Sequence, residues 1–482
     1  MPTSRSLKLW LHLIASCITL SYVMSAQTVT ILTSFDGIHG RGGSSPVQGM
    51  DGNFYAVGAG VTSTKGTFFR VTPSAQVTSL YSFCSQAYCT DGWGVFNVIL
   101  GPDGNFYGMT TNGGSYSQSQ CSNVNFGCGT VFKITPAGKL TTLHMFCTQS
   151  GCPDGYQPLG RSLALGPDGI FYGTTSAGGS GGGGTIFRIT PTGALTTIYS
   201  FSCSPQGVCP QGDGLLTGVT FGSNGNLFGA ANWGGSFNAG TLFELNRSGQ
   251  LSVFYNFTGS PNSPHVNGLT LASDGTIYGT NAGVPKTIFK VTESGSVGQL
   301  YSFGGFDLPY APVIQGTDGN LYGSVTSNTI GGGWLYQITT SGALTTLYNF
   351  CSQSGCADGE NPFAALVQAT NGVFYGTTEQ GGTSNNCGTN VGCGTLFSLS
   401  MGLAPFVEAL PNFAKAGATI SILGNNLTGT TSVSLNGTPT AFKVISGTGV
   451  RVQVPTGATT GTIQVTTPTG MLSSNIPFNV LP

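Results

Sequence analysis

Downstream of Ala26 the chain alternates short apolar runs with Gly-Gly, Asp-Gly and Pro-x-Gly clusters, and no apolar stripe returns at helical spacing. That pattern predicts strands joined by tight turns. The stretch from Gly101 to Phe146 shows the unit: GPDGNFYGMTTNGG, a loop holding Cys121 and Cys128, then GTVFKITPAGKLTTLHMF. With the run from Gly94 to Leu100 that leads into it, the unit has four strands. Its first hairpin recurs at Asp51, Asp103, Asp168, Asn224, Asp274, Asp318 and Asn371, seven copies whose intervals fall in the range of propeller and solenoid repeats. Four strands per copy at that period predict an all-β chain whose main part is a seven-bladed β-propeller of four-stranded blades.

A missing strand predicts how the ring closes. Each of the first six copies ends in a fourth run, beginning at Val77, Leu140, Leu195, Leu251, Val297 and Leu344. The seventh copy has none, because GTLFSLS at Gly394 leads into a different kind of sequence. The orphan run VTILTSF, from Val29 to Phe35, is expected to fill that place and leave no edge open.

From Leu403 onward, short alternating runs between Gly, Pro and Asn turns predict a small immunoglobulin-like β-sandwich over 403–482. The opening stretch carries Arg5 and Lys8 before an apolar run from Leu9 to Met24 and small residues at Ser25 and Ala26. It reads as a signal peptide, so the organisation is 1–26 leader, 27–400 propeller and 403–482 sandwich. The apolar run is short and interrupted by His12, which disfavours a membrane span. The tetrad ending at Cys17 resembles a lipoprotein cleavage motif, but an apolar segment rather than a polar tether follows, so lipidation there is disfavoured. The expected location is secreted or cell-surface, with no transmembrane segment in the mature chain.

Composition changes the picture in two ways. Charged residues make up only 6% of the chain, which suits blades that are apolar on both faces. Without the leader there remain 13 basic and 16 acidic residues, which offers no basic patch for nucleic acid. Excluding Cys17, the cysteines fall into six local pairs: Cys84 with Cys89, Cys121 with Cys128, Cys147 with Cys152, Cys203 with Cys209, Cys351 with Cys356, and Cys387 with Cys393. Even numbers in neighbouring pairs in an exported chain favour disulfides over zinc. Four pairs follow a fourth strand and two lie between second and third strands, so all should emerge on one face.

The pattern DGNFYGTT, GG, GTVFKITPAG, LTTLYSF resembles the GloVer tandem repeat of exported bacterial proteins, over about Val29 to Leu399. The resemblance implies a secreted or surface protein and no particular activity. GATISILGNNL, VSLNG and TGTIQVTTPTG are similar to the IPT/TIG immunoglobulin-like domain, which implies a spacer or adhesion module.

No HExxH or P-loop is present, and the Asp-Gly turns offer one carboxylate each, too few for a calcium loop. No cofactor is expected. A second Asp series precedes the first strand of the blades and includes Asp91, Asp154, Asp213 and Asp358, beside the loop aromatics Trp93, Tyr156 and Trp233. Read as structure, these are turn aspartates and packed rings. Read as function, they form a ring of carboxylates at the channel mouth with aromatic platforms, as a sugar face requires. The expectation is a monomeric, non-catalytic binding protein that presents the disulfide face to an extracellular ligand, a glycan or cell-surface polymer being one class that suits such loops. The alternatives are a propeller hydrolase or lyase acting at the channel mouth, and a structural surface spacer.

Overall fold

The computed structural model describes residues 27–481, except 38–40, 59–64, 117–120, 122–126, 161, 259–264, 293–294, 328–331, 385 and 388–391. The leader read at 1–26, with Cys17 inside it, lies outside the described residues. So does His39.

The chain is all-β. Between Thr28 and Ser400 it forms seven antiparallel sheets whose strands follow one another in sequence order. The first holds Val47–Gln48, Phe54–Gly58, Thr67–Val71 and Val77–Ser82, and the others repeat that plan. The sixth has an extra short strand, because Asp307–Leu308 and Ile314–Gln315 both pair with Leu321–Ser327. In the seventh the outer strand is Thr28–Ser34, antiparallel to Thr395–Ser400 with Val29 opposite Leu399. The N-terminal run therefore supplies the strand that the seventh copy lacks.

The repeat consensus is accounted for by local physics. In DGNFY, Asp51 Oδ1 accepts the Asn53 backbone amide at 3.2 Å, while Oδ2 accepts the Asn53 side chain and the Tyr55 hydroxyl, both at 2.7 Å. Asp103 and Asp318 hold Tyr107 and Tyr322 in the same way. The tyrosine rings then fill the space between sheets, Tyr107 lying 3.9 Å from Phe171 and Tyr322 lying 4.2 Å from Phe374. The glycine that follows is a matter of close approach. A Cβ on Gly108 would come within 2.6 Å of the Phe132 ring from the third strand, and Gly173 stands in the same relation to Phe187 at 2.5 Å.

The threonines after that glycine divide their work. Thr175 meets Thr185 of its own sheet at 2.8 Å, and Thr110 meets Thr130 at 2.9 Å. The preceding hydroxyl reaches across to the next sheet: Thr174 donates to the Thr217 carbonyl at 3.0 Å, Ser324 to Pro362 at 2.8 Å and Thr377 to Ser44 at 2.9 Å. Each such bond is worth about 1 kcal/mol net and fixes one sheet against its neighbour.

Residues 408–481 form two four-stranded antiparallel sheets and one short parallel pair, Phe413–Lys415 with Asn479–Leu481. Ile420, Ile422, Val433, Val450, Ile463 and Val465 are buried in their shared core. This unit sits on the Asp-Gly turns of the repeat sheets. Thr448 and Ser446 both donate to the Met50 carbonyl, Ser421 donates to Pro102 at 2.8 Å, and the Phe406 amide donates to Thr370 at 3.0 Å. Phe413 packs on Phe221 at 5.2 Å, and Leu423 joins the core that holds Tyr55 and Phe106.

Candidate functional site

On the face opposite the sandwich, four cystines lie in loops leaving a fourth strand and two lie between a second and a third strand. All six expected pairs are bonded: Cys84–Cys89, Cys121–Cys128, Cys147–Cys152, Cys203–Cys209, Cys351–Cys356 and Cys387–Cys393. The carboxyl group of Asp213 lies beside Cys203 and Cys209, but those sulfurs are bonded to each other and provide no thiolate for a metal.

The aspartates of these loops do not ring the channel mouth. Asp91 is buried, and its carboxylate accepts the Tyr81 hydroxyl at 2.6 Å, the Ser85 amide at 2.9 Å and the Gln86 amide at 3.2 Å. Asp358, also buried, accepts Tyr348 at 2.8 Å and the Ser352 and Gln353 amides at 3.0 and 3.2 Å. Burial alone would raise its pKa, but the Ser352, Tyr348 and backbone hydrogen bonds outweigh that and hold it below the usual carboxylate value. Asp154 is paired with His144 at 2.7 Å and accepts the Cys147 amide. These three clamp the cystine loop onto the fourth strand. The structure thus favours the turn reading for them over the ligand reading.

Asp213 does not belong with the other three. The loop glycines Gly92, Gly155, Gly212 and Gly359 all back onto the end of a second strand, at Thr110, Thr175, Ala231 and Thr378. That register places Gln211 where Asp91, Asp154 and Asp358 stand. Thr241 accordingly donates to the Gln211 carbonyl, as Thr185 does to Asp154 and Thr395 to Asp358. Asp213 falls instead in the row of Trp93, Tyr156 and Glu360, each facing the end of a second strand: Trp93 opposite Asn112, Tyr156 opposite Ala177, Asp213 opposite Trp233, and Glu360 opposite Gln380. Desolvation pushes the Asp213 carboxyl above its ordinary pKa. Trp233 covers Gly214, where a Cβ would lie 2.0 Å from the ring, and Tyr156 packs on the core around Cys147 and Phe171. Of the seven residues expected to bind ligand, Trp93 alone borders the central cavity.

That cavity has a volume of about 760 Å³ and takes lining residues from all seven sheets or the segments leading into them, from Ser44 and Trp93 round to Pro312 and Phe363. Most of the lining is Gly, Ser, Ala and Val. Two sheets differ. In the second, the innermost strand Trp93–Leu100 bulges between Val95 and Val98, which brings Phe96 and Asn97 to the wall. In the fifth, Val266–Leu271 bulges between Val266 and Gly268, and the extra residue is Asn267, also on the wall. Phe96 remains 49% exposed, and Phe363 is backed by Tyr310 in a stacked pair at 4.6 Å. Neither bulge pattern was anticipated from the motifs. The signal was present as a departure from them, since Phe96 stands where four other copies have Ser44, Thr217, Ala311 and Ala364.

The repeat model of the Gloeobacter/Verrucomicrobia repeat matches residues 17–220, 118–286 and 217–391. The chain belongs to the Gloeobacter/Verrucomicrobia repeat family. An IPT/TIG domain matches at 406–480. Repeats, IPT/TIG module and cystines together are those of an extracellular binding or surface protein. No curated protein matches. Among solved structures, the repeat protein is similar to a fungal alcohol oxidase of the AA5 family in complex with copper, at 12% identity and TM-score 0.53 over 94% of this chain and 99% of that one. It also resembles the PQQ-bound aldose sugar dehydrogenase of Streptomyces coelicolor, at 14% identity and TM-score 0.41 over 78% of this chain and 98% of that one. At so low an identity the first likeness concerns fold alone, and the second is too remote to bear on this chain. Among the described residues no helix is long and apolar enough to cross a membrane.

Proposed function

We propose that residues 27–400 close as a seven-bladed β-propeller, that the sandwich at 403–482 caps its turn face, and that the open central cavity binds a glycan at the cell surface or outside the cell. The observation that carries this reading is the pair of bulges that set Phe96, Asn97 and Asn267 on a wall built mostly of Gly, Ser, Ala and Val. Aromatic faces receive sugar C–H edges and amides bond hydroxyls, and a cavity of this size suits a few saccharide units. The lining supports binding over hydrolysis. Among the described residues it holds a single carboxylate, Glu379, which is paired with Arg41 at 3.7 Å, whereas acid–base chemistry on a glycosidic bond calls for two carboxyl groups. The sandwich on the opposite face leaves the disulfide-bearing mouth as the approach for the ligand.

A glycan array probed with the purified chain tests the reading. Phe96→Ala and Asn267→Ala should remove the saccharides that bind, while Asp91→Asn, altered inside a loop, should retain them. Binding that survives both cavity variants would place the site elsewhere.

A further inference from the structure

Two charged side chains border the cavity among the described residues, Glu379 and Lys65, and their situations differ. Glu379 has Arg41 within 3.7 Å, and Arg41 Nε also donates to the Glu379 carbonyl at 3.1 Å. Lys65 has no carboxylate within ion-pair distance among the described residues. Its Nζ lies over the Trp93 ring, 4.4 Å from the centroid. A ring quadrupole steadies an ammonium without cancelling its charge.

The position of Lys65 is a second departure from the repeat. It stands two residues before the first threonine of the third strand, whose place Trp334 takes in the sixth sheet, and the matching residues in the other sheets are Cys128, Gly183, Ala239, Pro285, Gly332 and Cys393. None of those is charged. The residue at this position is set against the inner segment of the next sheet, as the contact from the Gly94 amide to the Lys65 carbonyl at 3.4 Å records. Among the described residues, the register therefore delivers one cation, steadied on an aromatic face, to the rim of the cavity.

We infer that Lys65 and Trp93 form an anion subsite, so that the ligand of this cavity is a polyol carrying a negative group, a uronate carboxylate or a sulfate ester. This rests on the cavity reading above. Trp93, expected as a sugar platform, carries the Lys65 ammonium over its ring. Phe96 and Phe363 are left to stack the sugar. Lys65 is exposed at the rim, where a charge-assisted bond to an anion is open to screening by salt.

Calorimetric titration of the full chain with a uronic acid hexasaccharide, a sulfated hexasaccharide and the neutral homologue of equal length tests this. One of the anionic sugars should bind about tenfold or more tightly than the neutral one, in line with a charge-assisted hydrogen bond. That preference should shrink in salt. Lys65→Gln should reduce the anionic sugar to the neutral affinity and leave the neutral one unchanged, and Lys65→Arg should restore the preference. Which anion wins identifies the group. Equal affinities in the wild-type protein, or equal losses for both sugars in Lys65→Gln, would overturn the subsite while Phe96→Ala still abolished binding. No binding of any of the three would overturn the cavity reading together with it.

Discussion

The two faces of the repeat region are built from the same seven copies and yet are opposites. On the turn face, Asp-Gly or Asn-Gly hairpins recur from sheet to sheet, with Asp51, Asp103, Asp168 and Asp318 each committed to an amide and a tyrosine, and a second folded unit lies against them. On the loop face, connections differ in length, cystines brace them, and Tyr88, Val208, Phe237 and Phe306 are exposed. The contrast teaches that regularity in this chain serves folding. Residues that recur are held by their own sheet or by the next one, and the candidates for recognition, Lys65, Phe96, Asn97 and Asn267, are those that break the repeat.

The largest test of this comparison removes the element that joins the chain ends. Deleting residues 28–34 would strip Thr395–Ser400 of its outer partner and expose a sheet edge. The expected outcome is loss of soluble monomer, read by size-exclusion chromatography; a soluble, cooperatively folding deletion would show that closure does not depend on this strand.

Next in size is the loop clamp. Asp358→Ala would leave Tyr348 and two amides without an acceptor in a buried site, costing about 3 kcal/mol in denaturant unfolding. Its folded pKa is depressed, so its stabilisation is present above the ordinary carboxylate range and is lost as pH falls through the folded value. The gap between wild type and variant should accordingly narrow in acid. A gap that stays constant from neutral pH into strong acid would mean that the carboxylate charge is not what holds the loop.

Smaller still, Cys84→Ser with Cys89→Ser opens a loop whose ends are only five positions apart and should cost about 2 kcal/mol or less by the chain-entropy account. Thermal melts of the double variant would show it. The least disturbance is expected from Phe96→Ala. With its ring half exposed in the cavity, stability should move by no more than about 0.5 kcal/mol while saccharide binding is lost. A large destabilisation there would return Phe96 to the packed core and weaken the contrast between the faces.

Sequence by itself determined the architecture, because repetition, Asp-Gly turns and period-2 runs are local signals that need no tertiary contact to be read. The position of the orphan strand Val29–Phe35, the six cystines and the second unit followed from counting, and each has its counterpart in the structure. The site was another matter. Asp91 and Asp213 look alike in sequence, each followed by glycine and preceded by a nearby cysteine, but one more residue in the Cys203–Cys209 loop and two more after it move Asp213 into a different row. Whether a carboxylate faces a channel or a tyrosine hydroxyl depends on how the loop folds over the outer strand, and that is a three-dimensional fact. The bulges at Asn97 and Asn267 likewise arise from register between strands, where one extra residue on one side turns a side chain toward the cavity, and only the paired strands reveal which residue is extra.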